Sequence, residues 1–373
     1  MRILMHSIYF PPEVGGLETH VATLCKALMK RGHDVTVVTS HSIKSAPKFE
    51  VYDGIKVHRV FCPKKSTLGW TVTSIAAIPK VYSLSKDIDI LHAHTFPSIV
   101  PCAPPAKLRK IPFVATIHTS HFLRLAKKAF WRKVLKFLLK KPDIILAPSK
   151  EIKDVCVDIA PNIQAYSLIN AVDIDRFKPT KPVIDRINNE KIIIVPRRLF
   201  EKNGVEYAIR ALPLVREKVS AHLYLIGDGP LREKLIKLAN ELGITDFVHF
   251  LGAKPNKEMP GYLSCADVVV IPSLIEATSV AALEAMACER VVVASNVGGL
   301  PEIVTEKTGK LAQPGDPADL AEKIVEVLLM PDELKAKLGK NAREMVVKNW
   351  STNSLAEQVE KIYLEAIEKV RNR

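Results

Sequence analysis

The chain has 373 residues, enough for two domains, and its 47% hydrophobic and 25% charged residues exclude a chain that is disordered as a whole. No stretch of about 18 residues is free of charges and prolines, which excludes a spanning helix, and the N-terminus runs straight into a strand-like segment with no cleavable apolar leader, so a cytoplasmic protein is expected. The net charge of +14 would point to a polyanion partner if it were uniform, but eleven Lys and Arg and no Asp or Glu fall between residues 102 and 142, and the remainder is nearly balanced.

Residues 2–10 are an apolar run that reads as a strand. Residues 17–30 have helical spacing and end at Gly32, a good C-cap. Further strands are expected at 34–40, 55–60, 88–93, 113–117 and 143–147; their unbroken apolar character fits burial on both faces of a parallel sheet. Residues 122–141, FLRLAKKAFWRKVLKFLLKK, read as one helix. The pattern breaks at 173–189, around Pro179 and Pro182, and then restarts. Residues 191–195 are a strand, 204–216 a helix, and 222–226, 248–251, 267–271 and 291–294 are strands. Amphipathic helices at 318–330, 332–347 and 354–370 follow. Two βαβ series predict an α/β protein with two Rossmann-like domains. The six cysteines are scattered without CxxC spacing, so free, buried thiols are expected rather than disulfides or a zinc site.

Ligands of open α/β sheets bind past the carboxyl ends of the strands. After the first strand, Gly15 and Gly16 precede a helix, where they make either a plain turn or a close approach to an anion. After residues 191–195 come Arg197, Arg198 and Lys202, either a solvated basic loop or a clamp for a diphosphate. After residues 267–271 come Glu276 and, eight positions on, Glu284, with a helix expected to start near Ser279. The backbone N–H groups of Thr278, Ser279 and Val280 would then face a phosphate, and the two glutamates would accept sugar and ribose hydroxyls. The turns at Ile226–Pro230 and Asn296–Glu302 read as structural.

Together these blocks resemble the retaining GT-B glycosyltransferases of the "group 1" nucleotide-sugar family, the family 4 type. The blocks are GGLETH (15–20), DILHAH (89–94), NAVDIDRF (170–177), RRLFEKNG (197–204), LIGDGP (225–230), HFLG (249–252), PSLIEATSVAALEAMA (272–287) and NVGGLPE (296–302). They occur in family order over nearly the full length. The resemblance implies two Rossmann-like domains facing across a central cleft: an acceptor domain at 1–172, a nucleotide-sugar donor domain at 173–350, and a C-terminal helix at 351–373 returning to the first domain. It implies catalytic roles for His118, Arg198, Lys202 and Glu276. Donor binding falls to Gly15, Gly16, Arg198, Lys202, Glu276, Ala277, Thr278, Ser279, Val280 and Glu284. Arg198 and Lys202 would stabilise the diphosphate's developing charge. No protein nucleophile is required, and the leaving phosphate takes the acceptor proton. Two features depart from the family pattern. Ala277 and Ser279 stand where glycines are usual, and Arg197 stands where a glycine precedes the arginine.

No cofactor and no metal are expected. Asp87–Asp89 and Asp173–Asp175 match DxD outside its required context, and His92 and His94 make a pair without an evident third ligand. On a helical projection of 122–141, Lys128, Arg132, Lys136 and Lys140 form one row. Leu123, Phe130, Val134, Phe137 and Leu138 cluster elsewhere, with Trp131 at the edge. Arg124, Lys127, Lys128, Trp131, Arg132, Lys136 and Lys140 are thus candidates for contact with an anionic membrane or an acceptor phosphate, the alternative being a helix packed on the sheet with solvated lysines. No nucleic-acid-binding signature is present. The expected partners are a nucleotide-sugar donor and a lipid-linked, polyprenyl or saccharide acceptor. The expected location is the cytoplasm, or the inner face of the cell membrane as a peripheral protein. Two alternatives keep the same donor: transfer to a soluble acceptor such as a sugar phosphate, and a non-catalytic nucleotide-sugar-binding protein.

Overall fold

The uninterrupted Val, Ile and Leu runs become two sheets in the computed structural model, which describes residues 1–13, 15–63, 66–118 and 120–372. Val14 lies outside the described residues. The chain divides into two compact units. Unit 1 is Met1–Asn170 with Thr352–Arg373, and unit 2 is Ala171–Ser351. The divisions drawn from sequence, after residues 172 and 350, lie within two residues of these.

Unit 1 holds β1 (Arg2–Ser7), β2 (Asp34–Ser40), β3 (Phe49–Tyr52), β4 (Ile55–Val60), β5 (Ile90–His94), β6 (Phe113–Thr116), β7 (Ile144–Ala147) and β8 (Ala165–Ser167). Among the described residues they form one sheet in the order β3-β4-β2-β1-β5-β6-β7-β8. Every pairing is parallel except β3 with β4, a hairpin turned by Asp53 and Gly54. The chain reverses its lateral direction between β1 and β5, the switch point at which α/β sheets hold ligands. The helix Thr352–Arg371 returns to this unit. It buries Leu355, Val359 and Tyr363. Arg31 anchors it by donating to Glu360 (2.8 Å) and Glu357 (3.2 Å), and Lys369 anchors it by donating to the Asp143 carbonyl (2.9 Å).

Unit 2 holds β9 (Lys191–Val195), β10 (Ala221–Ile226), β11 (Val248–Gly252), β12 (Val268–Ile271), β13 (Val292–Ser295) and β14 (Gly309–Ala312). The order β11-β10-β9-β12-β13-β14 is wholly parallel, with its switch point between β9 and β12. Its core joins Ile193, Val195, Leu223, Val270 and Val293 to apolar residues of the helices Val205–Arg216 and Pro317–Leu328. All six cysteines are buried and free, as expected. Among the described residues, no helix is long and apolar enough to cross a membrane.

One expectation needs correcting. Residues 122–141 are not one helix but two, Ser120–Ala126 and Ala129–Leu139, because Lys128 is extended (φ −99°, ψ 121°). The break rephases the two pieces so that each turns its own apolar residues inward. Phe122 and Leu125 are buried from the first, and Leu135 and Leu139 from the second. The stripe projected from sequence is thereby divided, and Phe130 and Phe137 are left 70% and 62% exposed.

Candidate functional site

In unit 2 the site is built at the carboxyl ends of β9 and β12. Just past β9, the Arg197 guanidinium forms an ion pair with Glu276. It also donates to Asn203 Oδ1 (2.8 Å) and Ser273 Oγ (2.9 Å). Glu276 Oε1 accepts the Ala277 N–H at 3.3 Å. The two side chains are only 12% and 13% exposed, so the pair is largely desolvated. Two turns read from sequence as structural hold this loop. Gly298 has φ +57°, and a Cβ there would come within 1.7 Å of the Glu276 carbonyl oxygen, so no other residue fits. Its neighbour Gly299 donates its N–H to the Ala277 carbonyl at 3.1 Å. Residues of the 225–230 turn brace the arginine segment, with the Leu199 N–H on the Asp228 carbonyl at 3.0 Å.

The helix Val280–Ala287 begins where the sequence puts it. Ser279 is its N-cap, extended, with Oγ accepting the Ala282 N–H at 3.2 Å. Ala277, Thr278 and Ser279 are buried. Glu284 accepts from Asn256 Nδ2 at 3.3 Å, and Asn256 is itself held by Arg176 at 2.7 Å. Burial pushes the Glu284 carboxyl up to about 7, against the opposing pull of Asn256 and Arg176. Arg198 and Lys202 are exposed beside the pair. Arg198 lies over the Phe200 ring at 5.5 Å, and the Lys202 carbonyl accepts the Leu274 N–H at 2.8 Å. The arginine that engages Glu276 is therefore Arg197, whose departure from the family glycine was the only signal of it.

In unit 1 the parallel register sets His94 of β5 between Ser7 of β1 and Thr116 of β6. His118 follows two residues later, and His20 comes from the helix Gly16–Lys30. Ring nitrogens of His20, His94 and His118 lie within 4.8 Å of one another, and His94 Nδ1 is 3.0 Å from His118 Nε2. Sequence paired His94 with His92, but His92 is engaged elsewhere, with Nδ1 2.6 Å from Tyr363 Oη and Nε2 2.7 Å from Thr116 Oγ1. Its missing third companion comes from residues far apart in sequence. Burial lowers His20 to about 4, and His6 and His92 to about 3. It holds His94 and His118 well below the usual range, and the neighbouring rings push in the same direction. Every ring of the cluster is thus neutral near pH 7. Gly15 is extended, and its carbonyl accepts the Thr19 N–H at 3.2 Å; a Cβ at Gly16 would meet nothing within 4 Å. The DxD-like aspartates serve the backbone. Asp89 accepts the Arg2 N–H at 2.6 Å, and Asp173 accepts the N–H groups of Asp175 and Arg176 at 3.2 Å each.

On the surface of unit 1, Arg124, Lys127, Lys128, Lys133, Lys136, Lys140 and Lys141 are exposed. Trp131 and Arg132 are half-buried, and Arg132 is paired with Asp158 at 2.6 Å. Lys141 Nζ sits 3.9 Å from the centre of the exposed Phe137 ring, so aromatic and cationic groups share this face.

Residues 14–176 match the family described as Glycosyltransferase Family 4, and residues 177–345 match Glycosyl transferases group 1. The chain is 29% identical to an uncharacterized glycosyltransferase, MJ1607, of Methanocaldococcus jannaschii over 99% of each chain. It is 30% identical to glycogen synthase of Mycobacterium tuberculosis over 98% of this chain and 95% of that one. Among solved structures, sucrose-phosphate synthase from Thermosynechococcus elongatus superposes with a TM-score of 0.86 at 22% identity, covering 99% of each chain.

Proposed function

The chain belongs to the group 1, family 4 glycosyltransferases of GT-B fold, and on that footing we propose that it moves a hexose from a nucleoside-diphosphate sugar to a lipid-linked or other membrane-associated acceptor. The configuration at the anomeric carbon is retained, and no metal takes part. The observation that carries the donor half is the braced Glu276 loop at the switch point of unit 2, with the cations Arg198 and Lys202 beside it. In this reading Glu276 accepts hydroxyls of the transferred sugar and Glu284 those of the ribose. The N–H groups of Thr278, Ser279 and Val280 face the diphosphate at a helix N-terminus. The acceptor hydroxyl oxygen attacks the anomeric carbon as its bond to the phosphate oxygen breaks. That bond's electron pair stays on the phosphate, which takes the hydroxyl proton, while Arg198 and Lys202 stabilise the growing charge. The resemblance gives Gly15, Gly16 and His118 of unit 1 roles toward the same donor. A ring kept neutral by burial serves there as a hydrogen-bond partner, not as a proton store.

The exposed cations of residues 124–141, with Phe130 and Phe137 among them, support an approach to an anionic membrane. Each cation near such a surface adds about 1 kcal/mol. The test is a thermal-shift screen of UDP-, GDP- and ADP-sugars, followed by transfer assays with EDTA present and by sedimentation with anionic and neutral vesicles. One donor class should raise the melting temperature. Glu276→Ala should lower transfer by about a hundredfold or more. Binding should favour anionic vesicles and reverse with salt. If no nucleotide sugar shifts the melt, the donor reading fails. If the chain ignores anionic vesicles, the acceptor is a soluble one, such as a sugar phosphate.

A further inference from the structure

We propose that His20, His94 and His118 form a binding site for one transition-metal ion of the Zn(II), Co(II) or Cu(II) class, and that its occupation inhibits transfer. Three elements of unit 1 deliver the rings: a helix, the end of β5, and the segment after β6. Their nitrogens already lie within 4.8 Å of one another. A tetrahedral ion with bonds of about 2.0–2.1 Å needs them about 3.4 Å apart, which is within reach of small ring rotations. The ligand set is all imidazole, with no carboxylate among the three. That selects borderline transition ions and disfavours Mg(II) and Ca(II), which demand oxygen ligands. A metal takes neutral imidazole, the form in which burial already holds all three.

Two further observations fit this site. The nitrogens of His94 and His118 share one proton at 3.0 Å. Metal binding at those nitrogens requires the proton to move to the other nitrogen of its ring. Among the described residues, His94 Nε2 is buried and has no partner, so it is able to receive it. His6 on β1 is also fully buried, with neither ring nitrogen bonded among the described residues, and supplies a further neutral imidazole near His94. Three rings leave a fourth coordination position for solvent, as in open zinc sites. The inhibitory consequence rests on the donor-sugar role given to His118 above; the binding does not.

The test uses the full chain with any affinity tag removed. Co(II) should produce the visible absorption of a tetrahedral ion, saturating at one ion per chain. Zn(II) should abolish that absorption, and Mg(II) should leave it unchanged. His20→Asn, His94→Asn and His118→Asn, each checked for fold by circular dichroism, should weaken binding by at least about a hundredfold, and His249→Asn in unit 2 should not. Undiminished binding in any folded variant of the three overturns the site. So does the absence of the cobalt absorption in the wild-type chain, which decides the matter even if no variant folds. Zn(II) should also stop transfer, and a chelator should restore it. Cobalt binding by a chain that never transfers sugar would sink the proposed function and spare the site. Transfer that ignores Zn(II) would sink the inhibition.

Discussion

The two units share a parallel core wound outward from one switch point, to which unit 1 adds edge strands, and at the carboxyl edges of their sheets they treat titratable groups in opposite ways. At the carboxyl edge of its sheet, unit 1 collects imidazoles and discharges them by burial. Unit 2 keeps its charges and pairs them, Arg197 with Glu276, and it holds one carboxyl, Glu284, close to neutral pH. These are the two solutions open to an ionisable group removed from water: lose the charge, or bring a partner. The first leaves soft, neutral nitrogen atoms. The second leaves fixed charge beside a helix N-terminus, a setting that favours anions.

The largest test of this contrast is acid. The folded-state values of His6, His20, His92, His94 and His118 are depressed, so their contribution to stability is present above about pH 6.5 and is lost as pH falls toward 4 and 3. Each proton taken up only by the unfolded chain costs about 1.4 kcal/mol per pH unit. Unit 1 should therefore unfold before unit 2 on acidification, followed by hydrogen exchange at different pH values. Simultaneous loss of both units would break the comparison.

Next in size is the pair in unit 2. Arg197→Ala strands a buried carboxylate and should cost about 3–5 kcal/mol in denaturant melts, while Arg197→Met combined with Glu276→Gln should recover most of that loss. A neutral Arg197→Ala would mean that Glu276 is not desolvated in solution. The smallest effect, opposite in sense to the histidines, belongs to Glu284. Its folded value is raised, so its contribution is present below about pH 4.5 and is lost as pH rises through about 7. The melting temperature of Glu284→Gln should gain on the wild type between pH 5 and 8, and a constant difference would contradict the raised carboxyl.

Much of the fold was legible because fully buried parallel strands are written as plain apolar runs. Residues 34–40, 55–60 and 191–195 coincide with β2, β4 and β9 to the residue. What escaped lacks that signature. β3 alternates exposed and half-buried residues at a sheet edge, β8 has three residues, and β14 begins with Gly309 and Lys310. The break at Lys128 was hidden because each half is a good helix alone, and only packing chooses the phase. In the site, the helix start at Ser279 was legible from local capping chemistry. The Arg197–Glu276 pair and the meeting of His20 with His94 and His118 were not. They join residues 79 and 74 or more positions apart, through sheet register that no local pattern encodes.

The return of the helix Thr352–Arg371 to unit 1 has a consequence for how the protein is made. Unit 1 is discontinuous, and all of Ala171–Ser351 must be synthesised before Tyr363 exists to reach His92. Unit 2 is a single stretch of chain that depends on no later segment. The earlier-made part of unit 1 is thus the last to be finished, and until then His92 lacks its Tyr363 partner.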